Sequence, residues 1–213
     1  MGRGECAVGD FSCATGTKTR YDLGKYLDAR GYTSGVELGV QRGRFSRAML
    51  AGWPRCERYE LVDLWAQQSN YVDGANVDDR QQGKIYAEAM RVTRPWASKV
   101  GVCRNLTTAC AARYADASFD FIYLDARHDY KGVAEDLRAW MPKLRPGGII
   151  AGHDYMDAAT DRRFNKGDRW EVNGDGTVDV SGRAVQGAVE EYFAPRGHEV
   201  HVVQPSWPWR TWL

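Results

Sequence analysis

The sequence lacks an excess of charge of either sign. Its 213 residues carry 29 lysines and arginines against 28 aspartates and glutamates, which gives a formal net charge of +1. A protein that holds nucleic acid mainly through the phosphates needs a strong positive field, because its affinity comes from counterion release. The balance of charge therefore disfavours bulk nucleic-acid binding.

The sequence also lacks long apolar runs. No stretch approaches the roughly 18 consecutive apolar residues of a membrane span, and residues 1–12 hold no apolar signal-peptide core. We expect a soluble protein, cytoplasmic by default. The five cysteines show neither zinc-ligand spacing nor a dense disulfide framework, which favours reduced thiols. A pair between Cys6 and Cys13 in an oxidising compartment is the alternative.

What the sequence does contain is a regular alternation of short apolar runs with amphipathic stretches. Parallel strands need crossover connections, so this alternation predicts an α/β, doubly wound, mostly parallel sheet of the Rossmann-like type. We predict seven strands, with a closing pair at the carboxyl end of the chain and an antiparallel closing strand. The predicted strands span residues 35–38, 58–63, 100–103, 119–124, 148–152, 198–203 and 210–213, and the predicted helices span 20–30, 45–50, 81–93, 107–114, 133–144 and 183–193.

The domain organisation follows from composition. Residues 1–19 are rich in glycine and small polar residues and indicate a loosely ordered lead-in. Residues 20–213 form one predicted domain, because a chain of this length with 43% hydrophobic residues builds one substantial core. A polar, glycine-containing insertion at about 156–182 interrupts the pattern, and we predict that it is a mobile cover over the binding site.

The end of the first predicted strand has the pattern of a nucleoside site. In open α/β sheets, ligands bind beyond the carboxyl ends of the strands. Glu37 is followed by Gly39 and Gly43, and Asp63 ends the second strand at an offset that suits ribose hydroxyls. The G-x-x-x-G spacing differs from the G-x-G-x-x-G that seats a pyrophosphate, so it favours a nucleoside without phosphates.

Titratable groups gather after the fourth and fifth predicted strands. The first gives Asp125 and His128, and the second gives His153 and Asp154. Adjacent strand ends lie roughly 4.8 Å apart, so the four side chains are expected to converge. A histidine with an ordinary pKa of about 6.5 suits a general base near neutrality.

The same two strand ends carry a resemblance. The fourth reads Asp-x-x-His-x-Tyr over residues 125–130 and the fifth reads Gly-His-Asp-Tyr over residues 152–155. With these motifs in register, residues 32–213 resemble class I S-adenosylmethionine-dependent methyltransferases, in particular the small-molecule O-methyltransferase-like group. The resemblance implies S-adenosylmethionine as cofactor and a small hydroxylated methyl acceptor, with a sugar as the leading candidate. It implies cofactor contacts from Glu37, Gly39, Val40, Gln41, Gly43, Asp63, Trp65, Arg104, Asn105, Leu106 and Asp125. Asn105 departs from the commonest pattern, since many members carry an acid there.

The chemistry expected of such a site is alignment and proton removal. Methyl transfer displaces an already activated sulfonium in line, so the protein must position the acceptor and take its proton. We predict that Asp125, His128 and Asp154 carry this chemistry. Related sugar and macrolide O-methyltransferases hold magnesium with carboxylates at the positions of Asp125 and Asp154, which makes Mg²⁺ a possible second cofactor. His153 stands where those relatives often place another carboxylate, and magnesium prefers oxygen ligands.

Two other functions remain open from the sequence. The first is an oxidoreductase or hydroxylase, because one fold supports many reactions. The second is a catalytically inactive module that retains the adenosylmethionine pocket.

Overall fold

The computed structural model describes residues 18–203 and 208–213. Most of the predicted lead-in, with Cys6 and Cys13, lies outside the described residues. The strands are β1 (Ser34–Leu38), β2 (Arg58–Asp63), β3 (Val100–Arg104), β4 (Phe119–Leu124), β5 (Leu144–Gly152), β6 (Val202–Val203) and β7 (Thr211–Trp212). The helices are α1 (Leu23–Ala29), α2 (Arg44–Gly52), α3 (Asp79–Thr93), α4 (Thr107–Ala111), α5 (Tyr130–Trp140), α6 (Ala158–Phe164) and α7 (Val185–Phe193).

The strands form one seven-stranded sheet in the order β3-β2-β1-β4-β5-β7-β6. Strands β1 to β5 pair in parallel, and β7 runs antiparallel to both β5 and β6. The predicted fold, a Rossmann-like sheet with one antiparallel closing strand, is confirmed. The order reverses between β1 and β4, so the carboxyl ends of these two strands border the switch point where ligands bind.

Local sequence explains most of the element bounds. The strands predicted at 58–63 and 119–124 match β2 and β4, where apolar residues are continuous or alternate with polar ones. Helix α5 ends at Trp140 rather than at 144, and a 3₁₀ turn containing Pro142 follows. Proline cannot continue an α-helix because it lacks the N–H group and clashes with the preceding turn. Strands β6 and β7 are two residues each, shorter than predicted.

The core lies on both faces of the sheet. Helices α1, α2 and α3 bury apolar side chains such as Leu27, Met49 and Ile85 against one face. Helices α4, α5 and α7 bury Cys110, Leu137, Val189 and their neighbours against the other. On each face of the sheet, the apolar sides of the helices are buried against the strands. The sheet between them supports the loops at its carboxyl edge. Within the described ranges, no helix combines the length and the apolar character required to cross a bilayer.

The insertion at 156–182 has structure of its own. It contains α6, which polar composition did not reveal, and an isolated bridge between Val172 and Val178. Trp170 is 3% exposed and packs in a small cluster with Met156, Ala158 and Ala184. The segment is therefore anchored at Trp170, although Val180 is 97% exposed.

The cysteines depart from the expectation of reduced thiols. Cys103 at the end of β3 and Cys110 in α4 form a disulfide, with their Cα atoms 6.1 Å apart. The turn from β3 into α4 brings them within the range that a disulfide bridges. The seven-residue spacing of the two cysteines does not predict this disulfide, because the pairing depends on how the chain turns between β3 and α4. Cys56 is a buried free thiol.

Candidate active site

A cavity of about 390 Å³ opens at the carboxyl edge of the sheet, where β1, β2, β4 and β5 end. This volume is within the range of small-molecule sites. The predicted residues on its wall are Glu37, Gly39, Val40, Gln41, Asp63, Asn105, Leu106, Asp125, His128 and Asp154. The structure thus brings the two predicted groups, nucleoside-binding and acid–base, to one cavity.

The turn after β1 needs glycine for a packing reason. Gly39 has φ of +84°, and a Cβ there would collide with the backbone carbonyl of Asp125. Its N–H donates to the carbonyl of Val62 at 2.8 Å. Gly39 therefore allows the end of β1 to lie directly against the end of β4, in a conformation that L side chains rarely adopt.

Asp63 ties this turn to the end of β2. Its Oδ2 accepts the backbone N–H groups of Val40 and Gln41, both at 2.8 Å, and its Oδ1 accepts that of Trp65 at 2.8 Å. A carboxylate has about four acceptor positions, so capacity for a further donor remains. Burial raises the pKa of Asp63, and the three N–H groups act in the opposite direction.

Glu37 forms a buried acid on the wall of the cavity. The residue is 1% exposed, and its Oε2 accepts the hydroxyls of Ser46 at 2.6 Å and Tyr59 at 3.1 Å. Burial raises the pKa of Glu37 to about 8. An acid in this state gains most from a cation placed beside it, because the cation stabilises the ionised form.

Three predicted cofactor residues, Gly43, Trp65 and Arg104, do not line the cavity. Gly43 begins α2, and a Cβ there would crowd Val92 of α3. Trp65 is 1% exposed; its ring packs against Tyr86, and its Nε1 donates to the carbonyl of Gln41 at 2.9 Å. Arg104 donates to the carbonyl of Trp65 at 2.8 Å. Trp65 and Arg104 support the turns after β1 and β2 through these hydrogen bonds, and Gly43 allows α2 to pack closely against α3.

Asn105 and Leu106 reach the wall after β3. The Oδ1 of Asn105 accepts the N–H of Leu106 at 2.8 Å, so the side chain is engaged with its own neighbour. Leu106 is 49% exposed. An exposed leucine beside a polar amide suits the face and edge of a purine.

His128 lies among three carboxylates on the opposite wall. Its Nδ1 is 2.9 Å from Oδ2 of Asp73, and its Nε2 is 3.2 Å from Oδ2 of Asp154 and 3.7 Å from Oδ1 of Asp125. The contacts of Nε2 are not aligned as hydrogen bonds, so among the described residues this atom has no hydrogen-bond partner. Nδ1 is the satisfied nitrogen, and Nε2 remains available to a ligand.

These contacts shift the ionisation of the cluster. Burial opposes the charged form of His128, but the surrounding oxygens of Tyr71, Asp73, Asp125 and Asp154 outweigh it and raise the pKa of His128 well above its usual range. Burial likewise opposes ionisation of Asp154, yet contacts with His128 and His153 hold the pKa of Asp154 well below its usual range. In the unliganded site, these contacts therefore favour the protonated form of His128 and the ionised form of Asp154.

The sequence interpretation missed the residues that hold His128 and Asp125 in place. Asp73 comes from the polar segment after β2, and Trp170 comes from the insertion. Arg20 lies before α1, and its guanidinium contacts Oδ2 of Asp125 at 3.0 Å. Polar residues in irregular segments carry no periodic signal, so nothing in the sequence places them at the site.

Backbone strain marks the same strand ends. Gln41 after β1, Trp65 after β2 and Asp154 after β5 have φ values of 49°, 43° and 56°. Non-glycine residues in the left-handed region cost of order 1–3 kcal/mol each and cluster at functional sites. The strain supports placing the active site at this edge.

Comparison with known proteins agrees with the geometry. The family model described as "Methyltransferase domain" matches residues 36–155. The uncharacterized protein y4gI of Sinorhizobium fredii (strain NBRC 101917 / NGR234) is 29% identical over 123 residues, which are 56% of this chain and 13% of that protein. The chain therefore matches only a small part of that relative's length.

Solved structures share the fold. A protein from Corynebacterium glutamicum superimposes with a TM-score of 0.59 at 16% identity, covering 90% of this chain and 78% of the other. An O-methyltransferase family protein from Burkholderia thailandensis gives 0.55 at 12%, covering 90% and 53%. The cofactor-bound structure of Rv0187 from MTB gives 0.55 at 13%, covering 90% and 78%. With the family model matching more than half of the chain, the chain belongs to the methyltransferase domain family.

Proposed function

We propose that this enzyme transfers a methyl group to a hydroxyl oxygen of a small acceptor, with Nε2 of His128 receiving the hydroxyl proton. The observation that carries the proposal is the position of that nitrogen. It lies on the wall of the cavity, between Asp125 and Asp154, without a hydrogen-bond partner among the described residues.

The cofactor fits the side of the cavity formed by β1, β2 and β3. S-adenosylmethionine supplies a methyl group already activated on a cationic sulfur. The ribose hydroxyls suit Asp63, and Asn105 and Leu106 suit the adenine. The cationic methionine end suits Glu37 and Asp125, because carboxylates attract the amino and sulfonium charges. The absence of a phosphate cradle in the Gly39 turn agrees with a ligand that has no phosphates.

Residues of the chain then take the proton and hold the acceptor in line. Nε2 of neutral His128 would receive the proton of the acceptor hydroxyl. S-adenosylmethionine, held by Glu37, Asp63 and Asp125, would supply the methyl group to the acceptor oxygen and leave as the neutral thioether. A bound sulfonium cation disfavours the imidazolium, so cofactor binding helps His128 reach the neutral form that this step requires.

The mouth of the cavity supports a flat acceptor. Tyr21 and Trp209 line the cavity and are 47% and 40% exposed. Exposed aromatic rings stack well on the apolar face of a sugar or on another ring. A sugar is our leading candidate for the acceptor. A phenol offers the same two features, a flat face and a hydroxyl.

The donor set does not fit magnesium. The ligand atoms of Asp125, His128 and Asp154 lie within 4.8 Å of one another, which is close enough for a cation. However, Asp125 is already paired with Arg20, and Asp154 contacts both His128 and His153. Magnesium prefers oxygen ligands. We therefore propose a reaction without a metal step, and EDTA should leave turnover within about twofold of the untreated value. Loss of activity with EDTA and its return with Mg²⁺ would contradict this.

Calorimetry followed by an acceptor screen tests the proposed function. The protein should bind S-adenosylmethionine and S-adenosylhomocysteine but not NAD. Transfer of a radiolabelled methyl group to a panel of sugars and phenols, compared with matched amines and thiols, should give O-methyl products. Binding of NAD in place of adenosylmethionine would favour an oxidoreductase. Binding without transfer to any acceptor would favour an inactive module.

A further inference from the structure

Two segments join over the active-site histidine. The first is the loop after β2, residues 64–78, and the second is the insertion. The N–H of Gly74 donates to Oδ1 of Asp168 at 3.0 Å, and the N–H of Arg169 donates to the carbonyl of Val72 at 2.8 Å. The two segments therefore form one connected cover, although they are about ninety residues apart in the sequence.

Asp73 lies at the centre of this junction. Its Oδ2 faces Nδ1 of His128 at 2.9 Å and also accepts Nε1 of Trp170 at 2.9 Å. Its Oδ1 accepts the N–H of Ala75 at 2.7 Å. Both oxygens are thus held, so the carboxylate has a fixed orientation. Burial opposes its ionisation, but His128 and these hydrogen bonds lower the pKa of Asp73 to about 2.

Trp170 contacts both His128 and Asp73. Its ring lies 4.4 Å from the imidazole of His128, centroid to centroid, and its indole N–H binds the same oxygen of Asp73 that the imidazole contacts. The hydroxyl of Tyr71 lies 3.2 Å from Nδ1 of His128 on another side. The imidazole is therefore restrained in rotation by packing, and its Nδ1 is restrained by an acceptor.

We propose that Asp73 is a positioning residue: it holds the proton of the neutral imidazole on Nδ1 of His128, so that Nε2 is presented to the acceptor with a free lone pair. A carboxylate accepts and cannot donate, so the nitrogen that faces it carries the hydrogen. The same logic holds in serine hydrolases, where a carboxylate fixes the tautomer of the catalytic histidine. Trp170 locks the carboxylate in place, so docking of the insertion completes the base. The inference rests on the proposed role of His128.

Nitrogen NMR of ¹⁵N-histidine protein tests the proposal directly. The sequence has four histidines, so the His128→Gln variant assigns the signals of interest. Long-range ¹H–¹⁵N spectra over a pH series, with and without S-adenosylhomocysteine, report which nitrogen carries the proton. Three proteins are compared: wild type, Asp73→Asn and Asp168→Asn. Asp168→Asn is the matched control, because Asp168 binds the loop backbone through Gly74.

In wild type, the neutral His128 should carry its proton on Nδ1. In Asp73→Asn the amide can donate to Nδ1, so the proton should move to Nε2, and the pH of half-protonation should fall by at least about one unit, since one charged partner is lost. The Asp168→Asn variant should keep the wild-type tautomer and should shift the midpoint less than Asp73→Asn does, because Asp168 interacts with His128 through charge without contacting its ring.

Two results would overturn the inference. One is an unchanged tautomer and midpoint in a folded Asp73→Asn protein. The other is the same change in Asp168→Asn, which would show that any loosening of the cover moves His128. The proposed function fails separately, if wild type does not bind S-adenosylhomocysteine in calorimetry or if His128→Gln retains full methyl transfer.

Discussion

The two walls of the cavity are built differently. The wall that we propose for the cofactor comes from short turns that follow β1, β2 and β3, and each functional group lies within a few residues of a strand end. The wall that we propose for the acceptor combines residues after β4 and β5 with side chains from the loop 64–78, and the insertion packs behind it through the contact of Trp170 with His128. The first wall is local and held by backbone hydrogen bonds to Asp63. The second depends on contacts between distant segments. We therefore expect changes on the first wall to alter cofactor affinity, and changes on the second to alter turnover.

The largest expected effect is on the acceptor wall. The His128→Gln and Asp154→Asn variants should lower turnover by about 10²–10⁴-fold, which is the usual contribution of a positioned acid–base group. Affinity for S-adenosylmethionine should stay near that of wild type, because neither residue lies on the cofactor wall. Steady-state rates with an acceptor from the panel, together with calorimetry, measure both quantities.

The control for this pair is His198→Gln, since His198 packs on Phe193 at the carboxyl end of α7, and neither residue lines the cavity. Turnover of His128→Gln and Asp154→Asn within about threefold of wild type would show that the methyl group is transferred elsewhere.

On the cofactor wall, Asp63→Ala should weaken S-adenosylhomocysteine binding at least tenfold. Hydrogen bonds to a charged acceptor contribute about 1.5–3 kcal/mol each, and this variant also releases the N–H groups of Val40 and Gln41. Asp63→Asn keeps one acceptor oxygen and should lose less affinity for S-adenosylhomocysteine than Asp63→Ala. Calorimetry measures the dissociation constants. Wild-type affinity in a folded Asp63→Ala protein would remove Asp63 from the ribose site.

Glu37 should make cofactor binding pH-dependent. Its pKa in the unliganded protein is raised to about 8 by burial, so below that pH the carboxyl is protonated. A cationic ligand favours the ionised form, so binding releases the proton. The dissociation constant should therefore fall as pH rises, by up to about tenfold per unit, and level off above pH about 8. Glu37→Gln should remove this dependence, and a pH-independent wild type would contradict the placement.

The smallest expected effect concerns the insertion. We predict that it is a mobile cover that substrate orders, with Trp170 as its anchor. Hydrogen exchange in the unliganded protein should be slow near Trp170 and fast around Val180, which is exposed. S-adenosylhomocysteine with an acceptor should slow exchange in the fast part. Strong protection throughout the unliganded segment would contradict a mobile cover.

The sequence predicts the wall formed by local turns better than the wall that depends on contacts between distant segments. Strand β4 was predicted to the residue because a buried parallel strand leaves a nearly continuous apolar run, and β2 because its apolar residues alternate with polar ones. Glu37, Asp63 and Asp125 could be placed because strand ends meet at one edge of the sheet. Asp73 and Trp170 could not, because their approach depends on how two polar segments fold against each other. Trp65 does not line the cavity, and the sequence could not show this because an aromatic residue after a strand packs inward as readily as towards a ligand.

The disulfide between Cys103 and Cys110 has a practical consequence for biochemistry on this protein. It closes a ring of the chain that contains Asn105 and Leu106, the residues on the adenine side of the cavity. A closed ring has fewer conformations than an open one, so oxidation preorganises that turn. Purification with dithiothreitol and purification without it would then yield two preparations with different adenine-side turns. The thiol state of the sample, measured by mass, belongs beside every binding constant determined for this enzyme.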